Sequence, residues 1–563
     1  MDDSMEEITI GKGTWIDKVA FTIIEREKKL DRSTEMINVE SGLGASGIPH
    51  IGSMGDAVRA FGISLALQNM GYKSELIAFS DDLDGLRKVP VGLPEWLNEY
   101  LCKPVSSIPD PFGDCHESYG MHMSSLLLEG LDKVGVKYKF KSGTDVYKNG
   151  TLFNQVHKIL INSKIIGDKI SESTGQQKYM TFLPFFPICQ QCGRLYVANA
   201  IEYFPDEKTI SYSCSGNTIN KKQIKGCGYQ GEVKIKNGGG KLAWKVEFAA
   251  RWHAFDIRFE AFGKDIMDSV RINDWIASEI LRFHHPLHIK YEMFLDKGGK
   301  KISKSAGNVL TPQMWLQYGT PESLLLLLYK RIAGTRHIGI DDIPILMDEY
   351  DMYEDLYFDK TKEKNKSKAI KIKGIYKYAN NLNPSNVPQI HIPYRILIQQ
   401  SELFIDQKVS NPIEKIYERL KKYGLVKEET PELTNKIQLA MEWAEEFKEV
   451  YDDDMTAHAD DENGTRIQLE NIQKKAIIDV LLQLKIIANE LENTNVHIDI
   501  EELNQKIQTI IFLQSKENNL EPKDFFKLFY RILINADRGP RLGNYIVDLG
   551  IRNVINKIEN KIK

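Results

Sequence analysis

The stretch from Met36 to Asp82 constrains the fold more than any other part of the chain. A short apolar segment, Met36–Val39, runs through Glu40 into a glycine-rich turn over residues 41–47. A helix is expected from about Ser53 to Met70, because Met54, Val58, Phe61, Leu65 and Leu67 recur at near-helical spacing. Gly71 stops it, and Leu76–Phe79 reads as the next strand, with Asp81 and Asp82 at its C-terminal end. Strand, helix, strand in this order predicts an α/β fold with a doubly wound parallel sheet and ligands over the C-terminal strand ends.

The chain is long enough for more. Its 563 residues suggest three or four domains, and 42% hydrophobic residues allow several cores. Residues 1–150 are expected to form the first half of the α/β domain, and residues 151–243 an inserted cysteine-bearing module with turn-rich β character. Residues 244–340 complete the α/β domain, and 341–563 read as all-helical. The formal charge is −4, so any nucleic-acid contact must come from local basic patches such as the lysines between 360 and 377. A solvated linker is the competing reading of that run. The longest pure leucine run, Leu324–Leu328, is far too short to span a bilayer, and the acidic start has no apolar signal core. A cytoplasmic protein without membrane association is expected.

Gly42, Gly44 and Gly47 fit the glycine spacing of a dinucleotide site. Pro49 argues against it, since it keeps Ile48 out of helical geometry just where that helix would start. An ATP site is the alternative: His50 near a helix N-terminus donates to a phosphate oxygen, and Gly52 admits a close approach. Far downstream, Lys301, Ser303, Lys304 and Ser305 lie in the stretch KGGKKISKSAGNV. Two lysines interleaved with two hydroxyls suit a triphosphate whose leaving group is pyrophosphate. Taken singly, each stretch is equally a turn or a solvated loop; their pairing is what is specific.

That pairing resembles the HIGH and KMSKS motifs of class I aminoacyl-tRNA synthetases. The stretches ESGLGASGIPHIG, SDDLDGLRKVP, SIPDPFG, KLAWKVEFAARW, FEAFGKD, KKISKSAGNV and GPRLGNYIVDLG narrow the resemblance to the archaeal-type class I lysyl-tRNA synthetase family. The resemblance implies a Rossmann-like catalytic core, an inserted zinc-binding β module and a C-terminal helical domain that reads the tRNA anticodon. It implies ATP and Mg²⁺, lysine and tRNA(Lys) as partners, and a monomer. It places His50, Gly52, Ser53, Gly263, Lys264, Asp265, Lys301, Ser303, Lys304 and Ser305 on ATP, with His50, Lys301 and Lys304 catalytic. It places Gly42, Gly44, Trp244 and Trp252 on the amino acid, with Arg251 in the same tryptophan-containing segment. Ile266 stands where the family usually shows His.

An ε-ammonium needs an anion. Asp81, Asp82 and Asp84 follow the second strand, and Asp82 is the candidate taken forward, with helix capping as the alternative for any one of them. Cys189, Cys192, Cys214 and Cys227 offer the four thiolates of a closed structural zinc site, although 12 residues separate the last two. Asp110, Asp114, Cys115, His116 and His122 form a second candidate metal cluster; the histidines are six apart, so the loop must fold back. Two rival functions remain: a class I synthetase for another amino acid, and a catalytically silent RNA-binding paralogue, which would be expected to lose His50 or Lys304.

Overall fold

The computed structural model describes residues 13–113, 115–292, 294–298, 310–406, 409–454, 469–493, 500–534 and 539–562. The KISKS residues 301–305 and Asp114 lie outside them. The described chain divides into two compact units, one running to Leu316 and resuming over Pro321–Asn386, the other Gln317–Thr320 with Val387 onward.

The first unit opens with α1 (Trp15–Lys29), whose Thr14 and Asp17 form a reciprocal capping box. Then come β1 (Ile37–Leu43), α2 (Ile51–Asn69) and β2 (Ser74–Ser80), followed after two short 3₁₀ turns by α3 (Tyr119–Lys133) and β3 (Lys139–Ser142). β1 is longer than the sequence suggests, because its C-terminal half carries Glu40, Ser41 and Gly42, which break an apolar pattern but stay in register with β2. α4 (Gly143–Lys148), α5 (Phe153–Ile161) and α6 (Ser163–Thr174) lead to the module.

The module strands are β4 (Phe185–Pro187), β5 (Asn199–Phe204), β6 (Thr209–Ser213), β7 (Asn217–Ile219), β8 (Lys222–Ile224), β9 (Gln230–Lys234) and β10 (Gly240–Leu242). They form an antiparallel sheet β5-β6-β9 with two small antiparallel pairs, β4-β10, which closes the two ends of the module, and the hairpin β7-β8. α7 (Trp244–Ala254), β11 (Ile257–Gly263), α8 (Met267–Trp275) and β12 (Leu287–Tyr291) return the chain to the main sheet.

That sheet is five-stranded and all parallel, in the order β12-β11-β1-β2-β3. The strand order reverses between β1 and β11, the point at which a doubly wound sheet opens a crevice at its C-terminal edge. α2 packs on β1 and β2 and is buried over most of its circumference, which explains its many small and apolar residues.

After α9 (Pro312–Tyr318) and α10 (Pro321–Tyr329) come α11 (Asp342–Tyr357) and α12 (Lys366–Ala379). The sequence reading placed everything from 341 in the helical domain. In the structure α11 and α12 pack on α10, with Tyr376 and Glu354 hydrogen-bonded in their interface, so the first unit extends to Asn386. Helicity and domain membership are different properties: a buried apolar face joins a helix to whichever core it covers. The second unit is helical: α13 (Tyr394–Asp406), α14 (Pro412–Lys422), α15 (Pro431–Asp454), α16 (Asn471–Asn493), α17 (Ile500–Glu517), α18 (Pro522–Ile534), α19 (Leu542–Leu549) and α20 (Ile551–Ile562). Tyr394, Trp443 and Tyr545 are among its buried aromatics.

Candidate active site

At the strand-order reversal lies a cavity of about 330 Å³. Its lining includes Gly42 at the end of β1 and Gly44 just after it, His50, Gly52 and Ser53 at the start of α2, Trp244 and Arg251 on α7, and Gly263 and Asp265 at and just past the end of β11. These sequence-chosen residues are therefore brought together, from segments more than two hundred residues apart.

His50 is the N-cap of α2: its backbone is extended and its Nδ1 accepts the Ser53 N–H at 3.2 Å. An accepting Nδ1 puts the ring proton on Nε2, the donor form that an anion requires. Gly52 has a different reason from the one the sequence suggested. A Cβ there would lie 2.8 Å from His50 Nδ1, so the glycine makes room for the imidazole itself rather than for a ligand. The Ile51 N–H, one of the donors left open at a helix start, is bonded to the Leu310 carbonyl at 2.9 Å. Leu310 is the first described residue after the KISKS stretch.

The floor of the cavity is electrostatic. Arg251, wholly buried, pairs with Glu40 at 2.8 Å, Asp81 at 3.2 Å and Glu260 at 3.5 Å. Glu40 and Glu260 stand opposite each other on β1 and β11. Nearby, Lys241 joins Asp84 at 2.5 Å and Glu247 at 3.0 Å. Five carboxylates thus share two cations, and neighbouring like charges cannot all ionise cheaply out of water. Burial raises the Glu40 and Asp81 carboxyls above their ordinary range, with Arg251 opposing it. Burial likewise pushes Asp56, another lining residue, up to about 7 against the pull of Arg59. A bound cation would relieve all of these.

Three sequence choices fall elsewhere. Asp82 does not line the cavity. Its carboxylate accepts from Ser142 Oγ at 2.5 Å, Thr144 N at 2.7 Å and Thr144 Oγ1 at 2.9 Å, capping α4 and fixing β3. Adjacent residues leaving a strand point to opposite sides, so Asp81 faces the ligand crevice and Asp82 faces away. Trp252 is also not in the lining; it is fully buried and its Nε1 donates to the Glu260 carboxylate, placing it behind the wall. Lys264 is not in the lining either; its ammonium pairs at 2.7 Å with Glu292, which is. Sequence reasoning missed Glu40 and Glu260 altogether. Their signal was an acid inside an otherwise apolar strand, which demands a buried partner such as Arg251.

Both cysteine-bearing clusters assemble. Cys189–Cys227 and Cys192–Cys214 lie at Sγ–Sγ distances of 3.6 and 3.7 Å. A tetrahedral ZnS₄ centre with bonds of about 2.3 Å has edges of about 3.8 Å, so the donor set fits zinc. The residues between Cys214 and Cys227 form the β7-β8 hairpin. In the second cluster Asp110 Oδ2 lies 2.9 Å from His122 Nδ1 and 3.2 Å from Cys115 Sγ, with His116 Nδ1 3.2 Å from both Cys115 Sγ and His122 Nδ1. His116 precedes α3 and His122 is on it, which brings two histidines six apart onto one point.

Comparison with known proteins agrees with the geometry. The family profile described as "tRNA synthetases class I (K)" matches residues 13–381. A protein named lysine–tRNA ligase from Cenarchaeum symbiosum (strain A) is 50% identical over 558 residues, 99% of this chain and 100% of that one. Another of that name from Rickettsia felis is 31% identical, covering 97% and 99% respectively. A solved glutamate-tRNA synthetase from Elizabethkingia anophelis covers 94% of this chain and 100% of its own at 13% identity, with a TM-score of 0.32, a likeness too low to carry an argument. With a matching profile over most of the chain and full-length relatives of this kind, the chain belongs to the class I lysyl-tRNA synthetase family.

Proposed function

We propose that this chain is a lysine–tRNA ligase: it activates lysine with ATP and transfers the lysyl group to the 3′-terminal ribose of tRNA(Lys). The observation that carries the lysine assignment is the acid-rich floor around Arg251. Asp81 and Glu260 line the cavity and together exceed the charge of the one guanidinium they share with Glu40. That surplus recognises a cationic side chain. The apolar stem of lysine runs along Trp244 and Phe248, which also line the cavity.

In the first step the lysine carboxylate attacks the α-phosphorus of ATP. The bond to the β-phosphate breaks and pyrophosphate leaves. A carboxylate is already a nucleophile, so no general base is required. The His50 Nε2–H and the N-terminal end of α2 stabilise charge developing on the phosphates. Lys301 and Lys304, carried over from the family motif, act on the pyrophosphate side. Gly263 and Asp265 belong to the ATP side of the same cavity. Mg²⁺ supplies neutralisation of the phosphate charge when bound. In the second step the 2′-hydroxyl of the terminal ribose attacks the lysyl carbonyl and AMP leaves.

Zinc held by Cys189, Cys192, Cys214 and Cys227 staples a module too small to be stable by its core alone. Asp110, Cys115, His116 and His122 hold a second structural zinc. The helical second unit reads the anticodon. In α12 the face bearing Ile375, Tyr376 and Tyr378 is buried, leaving the lysine-bearing face for RNA phosphates. The enzyme acts as a cytoplasmic monomer. No described helix is long and apolar enough to cross a membrane.

The test is ATP–pyrophosphate exchange with each of the twenty amino acids, with and without bulk tRNA. Exchange with lysine alone is expected. Exchange with a different amino acid keeps the chemistry and removes the lysine assignment. No exchange in the presence of Mg²⁺ and tRNA identifies a silent RNA-binding paralogue.

A further inference from the structure

We propose that Asp274, His285 and His288 form a third metal site, one that takes zinc or a similar divalent transition-metal ion through oxygen and nitrogen donors alone. The three residues come from separate places in the first unit: Asp274 from α8, His288 from β12, and His285 from the segment before β12. One ligand atom from each lies within 4.8 Å of the other two.

The hydrogen bonding around His288 is the argument. Its Nδ1 lies 3.0 Å from the Glu260 carbonyl, which can only accept, so Nδ1 carries a proton. In the neutral ring this leaves the Nε2 lone pair outward, whereas in the imidazolium Nε2 carries a second proton. Nε2 faces Asp274 Oδ1 at 2.9 Å, and a carboxylate oxygen is also an acceptor. Two lone pairs at that distance repel unless something positive stands between them. A backbone carbonyl on one ring nitrogen and an open lone pair on the other is the arrangement that orients metal-binding histidines.

His285 supplies the next donor. Its ring is parallel to that of His288, 7° between planes and 5.8 Å between centroids, and its Nδ1 is 3.5 Å from the same Asp274 oxygen. By the same rule His285 Nδ1, 2.9 Å from the Pro286 carbonyl, donates a proton to it, and metal uptake must displace that proton. Metal–ligand bonds of about 2.0–2.1 Å in a tetrahedron set donors about 3.3–3.4 Å apart. The 3.5 Å pair already matches, and the 2.9 Å pair opens by a few tenths. His285 and Asp274 remain partly exposed, which gives an entry path and leaves the fourth position to water.

The site stands directly behind the cavity wall. Glu260 contributes its carbonyl to His288 and its carboxylate to Arg251, and the Trp252 ring lies 5.0 Å from the His288 ring. An ion here ties α8 to β12 beneath the residue that faces the substrate ammonium.

The other two candidate metal clusters contain cysteine and this one does not, so cobalt distinguishes it. The full-length wild-type chain, stripped and reloaded with Co²⁺, is expected to bind about one equivalent that adds no thiolate-to-cobalt charge-transfer absorption. With Zn²⁺, His285→Ala and Asp274→Asn are each expected to retain about one equivalent less than wild type after desalting, while far-UV circular dichroism stays unchanged. Zinc content equal in all three proteins overturns the proposal and leaves an imidazolium–aspartate ion pair. So does a wild-type cobalt titration in which every bound equivalent adds thiolate absorption, a result that stands even where a variant fails to fold.

Discussion

Asp81→Asn tests the electrostatic reading of the cavity. The substitution keeps shape and an acceptor for Arg251, and removes the charge of one of the two cavity-lining carboxylates that pair with Arg251. For unit charges about 4 Å apart at an effective dielectric of about 20, the interaction is worth about 4 kcal/mol. The amide oxygen still accepts a hydrogen bond worth about 1 kcal/mol, leaving a net loss near 3 kcal/mol. That corresponds to a rise of roughly a hundredfold in KM for lysine, since each 1.4 kcal/mol is about tenfold. ATP–pyrophosphate exchange measured against lysine and against ATP separates the effects: KM for ATP and the limiting rate are expected to hold within about threefold. The fold is not expected to weaken, because burial has raised the Asp81 carboxyl and its charged form is disfavoured in the free protein. A lysine KM within threefold of wild type, in a variant with normal melting, refutes the assignment of the ammonium to this floor.

His50→Ala removes the N-cap acceptor and the phosphate donor, and is expected to lower the exchange rate about 10²–10³-fold with little change in KM for lysine. Asp82→Asn does the opposite: three buried hydrogen bonds are disturbed, so stability falls by about 2–4 kcal/mol in urea denaturation while the lysine KM stays put. Cys192→Ser is expected to lose about one equivalent of zinc and to lower the melting temperature, read by metal analysis and calorimetry. For pH, the sign follows from raised carboxyls: the native state holds protons that the unfolded state has released. Stability without ligand therefore falls as pH rises from about 4 to about 7, and KM for lysine falls as pH rises through about 7, because the ammonium binds the ionised form. Calorimetric scans from about pH 4 to 7 check the first and exchange kinetics from about pH 6 to 8.5 the second; flat profiles over those ranges contradict them.

The central βαβ unit was legible because apolar spacing and a glycine-rich turn are local signals. β1, α2 and β2 fall within a few residues of where the pattern put them. The cysteine cluster was legible despite its uneven spacing, since a hairpin absorbs intervening residues without moving the thiols. What was not legible depends on facing. Asp81 and Asp82 are identical in type and adjacent in sequence; only the exit direction of β2 sends one to Arg251 and the other to the start of α4. Gly52 was legible as a close approach but not as one made by its own neighbour, because that needs the rotamer of His50. Glu40 and Glu260 escaped notice because their pairing exists only in the register of β1 with β11. The α11-α12 pair shows the limit on domain boundaries: composition marks where helices begin, not which core they cover.

The bond between the Ile51 N–H and the Leu310 carbonyl has a consequence for how such a protein can drift. It joins main chain to main chain, so replacing either side chain leaves it intact. A proline at 51, which has no N–H to donate, would break it. Sequence variation at either position is therefore free as far as this bond is concerned, proline at 51 excepted.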